Sequence, residues 1–94
     1  MSSQALSGQI TVTTAGTAVQ GTDVKVRLVY INALSGNTGA VYFGNDGAGD
    51  VTSANGFELA AGSTVLISCP SGNLNSLWFD AATDGDIFSW LIAE

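Results

Sequence analysis

Apolar and polar residues alternate with a period of two along most of this chain, the pattern of strands that bury one face. In Gln9-Ile10-Thr11-Val12-Thr13-Thr14, Ile10 and Val12 alternate with polar neighbours. The longest run is Asp23 to Ala33, where Val24, Val26, Leu28 and Tyr30 alternate with Lys25, Arg27, Val29 and Ile31. The first set is a wholly apolar face, and the second begins charged and turns apolar, as for a strand covered on both sides over its second half. Further strand patterns follow at Ala40–Phe43, Thr64–Cys69, Leu74–Ala81 and Ile87–Ile92. The pattern thus predicts strands near residues 9–14, 23–33, 40–43, 64–69, 74–81 and 86–92. Shorter edge pairings are expected at Ala18-Val19 and at Val51–Ala54.

The breaks between these runs carry turn chemistry. Leu34-Ser35-Gly36-Asn37-Thr38-Gly39 and Ala61-Gly62-Ser63 combine residues that accept positive φ with side chains that bond back to the chain. Asn55-Gly56 and Asp84-Gly85 are hairpin signals, so Leu77–Phe79 and Ile87–Leu91 are expected to form a C-terminal hairpin. Pro70 ends the strand before it, because proline has no N–H to give a ladder. No window carries a helical period and no repeat divides the chain. The expected fold is all-β, a small antiparallel β-sandwich or jelly-roll-like barrel of about seven to eight short strands. Residues 1–7 are expected as a flexible N-terminal arm and 8–94 as one domain. Its expected core is Val26, Leu28, Tyr30, Val41, Phe57, Leu59, Val65, Ile67 and Leu77.

Composition narrows the function classes. Apolar residues make up 46% of the 94-residue chain and charged residues 11%, which argues against disorder and leaves a largely neutral surface of the kind that meets other subunits. Eight acids face only Lys25 and Arg27, for a net charge of −6. A phosphate-backbone ligand needs a basic stripe, so nucleic acid is not an expected partner, and the same balance argues against anionic membranes. No apolar run approaches the roughly 20 residues of a membrane helix, and Met1–Leu6 lacks the features of a secretion signal.

Candidate chemistry is sparse. Cys69 is the single cysteine and there is no histidine, which removes both a Cys-His nucleophile and the commonest zinc ligand. Cys69 is expected as a buried thiol. Asn45, Asp46 and Asp50 supply only part of a calcium shell, so their loop is expected to be solvated without metal. Asp80, Asp84 and Asp86 flank a tight turn, where Asp is a turn former rather than half of a catalytic pair. No catalytic residue, metal site or cofactor is expected. Trp78 and Trp90 fit a core or interface, with sugar stacking as the alternative.

The order of several short motifs carries a resemblance. Val29-Tyr30-Ile31-Asn32-Ala33, Asn37-Thr38-Gly39-Ala40-Val41-Tyr42-Phe43-Gly44, Asn55-Gly56-Phe57-Glu58-Leu59-Ala60-Ala61-Gly62-Ser63, Leu74–Phe79 and Gly85-Asp86 resemble the small β-sandwich virion proteins of tailed bacteriophages. That group includes head decoration or cement proteins and domains of fibres and tails. The likeness covers about residues 24–92. The loop at Asn45–Asp50 and the Cys69-Pro70-Ser71-Gly72 segment depart from the usual pattern.

The resemblance implies a non-enzymatic capsid decoration protein, commonly a homotrimer, located in the virion and assembled in the host cytoplasm. Its expected partners are further copies of the chain and a major capsid or other virion protein. A tail, fibre or head-fibre component binding a host receptor or glycan is the alternative. The candidate contact residues are Ser2, Ser3, Gln4 and Leu6 of the arm, Asn37 and Asp46 of the turns, and the cations Lys25 and Arg27. Val29, Ile31, Trp78 and Trp90 are candidates for self-association through the second faces of their strands.

Overall fold

The computed structural model of the protein describes residues 6–44 and 51–94; Ser2, Ser3, Gln4 and Asp46 lie outside the described residues. Among the described residues eight strands follow in order: β1 (Ser7–Val12), β2 (Val19–Gln20), β3 (Leu28–Ala33), β4 (Val41–Gly44), β5 (Phe57–Leu59), β6 (Thr64–Ser68), β7 (Trp78–Ala81) and β8 (Asp86–Ile92). A 3-10 turn at Leu74–Ser76 precedes β7. There the Asn73 side chain accepts from the Asn75 amide, so the predicted strand over 74–81 begins only at Trp78.

The strands form two antiparallel sheets, β1-β8-β3-β6 and β2-β7-β4-β5. Within them β1 pairs with β8, β2 with β7, β3 with β6 and β4 with β5. The chain is therefore one long hairpin with its tip between β4 and β5, rolled so that its successive pairs fall alternately in one sheet and the other. That is an eight-stranded jelly roll, within the expected all-β class. Rolling leaves β4–β5 as a local hairpin and sends β7 and β8 into different sheets. The expected hairpin across Asp84-Gly85 is instead an arch between sheets. Gly85 (φ 84°) makes the turn and donates its amide to the Val12 carbonyl at 2.8 Å, so the arch is tied to β1 rather than closed on β7.

The inward faces meet in a core that includes Val12, Val29, Ile31, Val41, Leu74, Phe79 and Phe88, all fully buried. The Phe79 and Phe88 rings meet edge to face across the two sheets at 4.5 Å, and Phe43 extends the aromatic row to Phe57. Val26, Val41 and Leu59 are buried as expected, and Leu28, Val65, Ile67 and Leu77 are half-buried. Tyr30 and Phe57 are not core residues, being 40% and 57% exposed. Phe57 lies on the short edge strand β5 with a single cross-strand neighbour, so its ring leans on Phe43 and otherwise faces out.

The reversal in β3 has a backbone cause. The amides of Arg27 and Leu28 both donate to the carbonyl of Glu94, and Ala93 and Glu94 both donate back to Leu28. Two residues opposite one acceptor is the pattern of a β-bulge, and one extra residue turns every later side chain to the opposite face. Val26 is buried before the bulge; Val29, Ile31 and Ala33 are buried after it. Val29 and Ile31 therefore belong to the core and are not self-association residues.

Trp90 is likewise in the core, 7% exposed, on the inward side of β8 with Phe88 and Ile92. It has room there because Gly8 lies opposite it on β1: a Cβ at Gly8 would fall 2.6 Å from Trp90 Cζ2. Its Nε1 is a buried donor with no acceptor among the described residues.

Candidate interaction surface

The bulge that sends Val29 and Ile31 inward sends Tyr30 and Asn32 outward. On the outer face of the β1-β8-β3-β6 sheet the register sets Ser7, Leu91, Tyr30 and Leu66 in one row across all four strands. Leu66, Leu91 and Tyr30 are 47%, 41% and 40% exposed, making three adjacent large apolar side chains open to water. The next row is Gln9, Ser89, Asn32 and Thr64. Within it the Asn32 amide nitrogen donates to Ser89 Oγ at 3.0 Å, and Thr64 Oγ1 donates to Asn32 Oδ1 at 2.8 Å. The flanking outward positions are Thr11 and Ile87 on one side and Leu28 and Ser68 on the other. No outward position on these four strands carries a charge. Tyr30, Asn32, Thr64, Ser89 and Leu91 line a shallow depression in this face.

The other outer face is different in kind. Tyr42 lies between Glu58 and Asp80, and Trp78 pairs with Gly44 and Gln20. Trp78 is thus on the outer face of its sheet, half-buried, and is the one self-association candidate of four that the fold leaves off the core.

The carboxylates that flank the last turn are held by backbone amides. Asp86, 5% exposed, accepts from Thr38 through Oδ1 and from Gly39 through Oδ2, each at 3.0 Å. Asp80, 3% exposed, accepts from Gly16 at 2.9 Å, and Asp84 accepts from Ala15 at 2.7 Å. All three pin loops to the sheets. Among the described residues no group of three or more His, Cys, Asp or Glu side chains gathers as metal ligands would. Burial pushes the Cys69 thiol above its ordinary pKa, as expected for an inert side chain.

Asn37 is also spent on the fold. Its side-chain nitrogen donates to the Ile87 carbonyl and its oxygen accepts from the Ile87 amide, both at 2.9 Å, copying a ladder pair between the turn and β8. Lys25 and Arg27 are exposed: the Lys25 backbone forms a β-bridge with Asn73, and the Arg27 amide donates to the Glu94 carbonyl. Leu6 joins them, its carbonyl accepting from Ile92. The sequence-level candidates thus separate. Leu6, Lys25 and Arg27 gather at the end of the sandwich that holds Glu94, and Asn37 sits at the opposite end beside the Asp84-Gly85 arch.

The residues missed from sequence are Leu66 and Leu91, together with Tyr30 as a surface residue. Leu66 stands between Val65 and Ile67 in an apolar run, so alternation alone assigned it no role. Among the described residues no helix is long and apolar enough to cross a membrane. Comparison with protein-family models, with curated proteins and with solved structures returned no match.

Proposed function

We propose that this chain is a non-enzymatic structural protein of a tailed-phage virion, a decoration or cement protein that binds and stabilises the assembled head. The observation that carries the reading is the outer face of the β1-β8-β3-β6 sheet: an exposed apolar row beside polar groups that already bond to one another, without a charge, on a chain of net charge −6. Such a face loses little when water leaves it, as a packing component requires. The jelly roll supports the reading at the level of architecture, since capsid proteins use this roll as lectins and cupins do. Absence of histidine from the sequence weighs against a cupin-type metal site.

The receptor-binding alternative has one feature in its favour, the outward Tyr42 and Trp78 beside Glu58 and Gln20. On the face with the depression, by contrast, both ends of the Asn32 amide are already engaged and offer a sugar little.

The test is addition of purified protein to phage heads that lack it. Co-sedimentation with heads, and heads that withstand more heat or lower salt, are the expected results. Removal of residues 1–5, the part of the expected arm outside the described residues, is expected to weaken attachment. Antibody labelling confined to the tail tip of intact particles would overturn the head assignment in favour of the fibre reading.

A further inference from the structure

We infer that the outer face of the β1-β8-β3-β6 sheet is a contact between two copies of this chain, packed face to face about a two-fold axis with Leu66, Tyr30 and Leu91 at its centre. This goes beyond the virion reading, which draws on the same face, because it concerns the isolated chain.

Charge selects the second copy as occupant. A chain of net charge −6 repels itself wherever its acids approach, and at physiological salt that repulsion reaches about 8 Å. The outer face of the β1-β8-β3-β6 sheet has no charged position on its strands. Facing two copies there leaves Glu58 and the Asp80 side of each molecule on the far surfaces, a sandwich thickness away from the contact; the shortest dimension of the molecule is 18 Å. A basic partner would gain nothing from a neutral face and would be drawn to the acidic regions.

Polarity is self-complementary as well. In a two-fold contact the same patch meets itself, so an apolar row and a row of internally paired Asn32, Ser89 and Thr64 need the same two rows opposite. Covering them leaves the Asn32–Ser89 and Thr64–Asn32 bonds intact, because both are made within each copy.

The size of the face sets the strength. Four strands about 4.8 Å apart and about six residues long at roughly 3.3 Å each cover about 380 Å² of plan area per copy. By this plan area a pair covers about 760 Å², well under the roughly 1,200 Å² at which specific stable interfaces begin, so the contact is weak and concentration-dependent. A weak pair of this kind is what repeated attachment on a larger assembly strengthens through avidity.

Sedimentation velocity of the full chain across a concentration series reads this directly. The expected result is a shift from monomer toward dimer as concentration rises, and Leu66→Asp and Leu91→Asp should each weaken it by at least about tenfold. Both positions are exposed, so unchanged melting curves should accompany the loss. Glu58→Gln, on the opposite face, should leave association unchanged or stronger. A monomer at millimolar concentration, association that Leu66→Asp leaves intact, or a trimer whose contact maps to the Trp78 face would each overturn the inference. Head binding retained by a monomeric Leu66→Asp protein would show that self-association and attachment use different surfaces, so that failure of this inference and failure of the virion reading are read separately.

Discussion

The amide of Arg27 donates to the carbonyl of Glu94 at 2.6 Å, sharing that oxygen with its neighbour Leu28. This doubled bond decides which side of the longest apolar run faces the core in its second half. Before it Val26 points in; after it Val29, Ile31 and Ala33 do, and Tyr30 is turned to the surface. Ile31→Ala is therefore expected to cost about 2–5 kcal/mol, from lost apolar burial plus the cavity left behind. Tyr30→Ala, on the outer face, should cost less than about 1 kcal/mol. Urea unfolding of the two variants measures the difference, and a larger loss for Tyr30→Ala would mean that the bulge is misplaced.

Gly8 is expected to resist any side chain. Its Cβ would meet the buried Trp90 indole at 2.6–3.0 Å, with the aromatic ring rather than a flexible tip in the way. Gly8→Ala should destabilise the protein by about 1–3 kcal/mol, the range of overpacked cores. A shifted tryptophan emission maximum in the folded state would accompany it. Retention of both the wild-type spectrum and the wild-type midpoint would contradict the packing of β1 on Trp90.

Asp86 joins the last strand to the turn before β4. Asp86→Ala leaves the Thr38 and Gly39 amides without their acceptor, and bonds to charged groups contribute about 1.5–3 kcal/mol each. Because the two amides share one carboxylate and water reaches the turn, the expected loss is about 2–4 kcal/mol. Asp86→Asn keeps one acceptor and should lose less. Hydrogen exchange should speed up at Thr38 and Gly39 in both variants, more so in Asp86→Ala. Uniform protection at those two amides in Asp86→Ala would show that the carboxylate does not hold the turn.

Cys69 should label only when the fold opens. Burial raises the thiol pKa, so at neutral pH less thiolate is present than on an open chain. A disulfide reagent is expected to react slowly with the native protein and quickly in denaturant. The sign for stability follows: above the ordinary thiol pKa of about 8.5 the unfolded chain loses its proton before the folded one, so stability falls as pH rises through that region. Fast labelling of native protein at neutral pH would place the thiol at the surface.

The strand patterns and turn residues by themselves determined that the chain is all-β, and located β1, β4, β6 and β8 to within two residues, because alternation and glycine-rich turns act over a few neighbouring positions. They also determined the near-absence of charge that makes a neutral sheet face available. Which face that is, only the tertiary structure decided. A period of two defines two sides of a strand without saying which is inside, and a one-residue slip exchanges them. The slip at Arg27 depends on Glu94, 67 positions away along the chain, through backbone groups that leave no mark in residue types. The arch at Asp84-Gly85 shows the same limit: an Asp-Gly turn serves a hairpin or a crossing between sheets equally well. Here the buried Asp86 carboxylate, fixed by amides from another turn, holds the crossing to β8 in place. Trp90 lies inside because Gly8, opposite it across the ladder, has no side chain to occupy the space. Pairings between distant strands set these three outcomes, and with them the row of Tyr30, Leu66 and Leu91 that the protein presents to its surroundings.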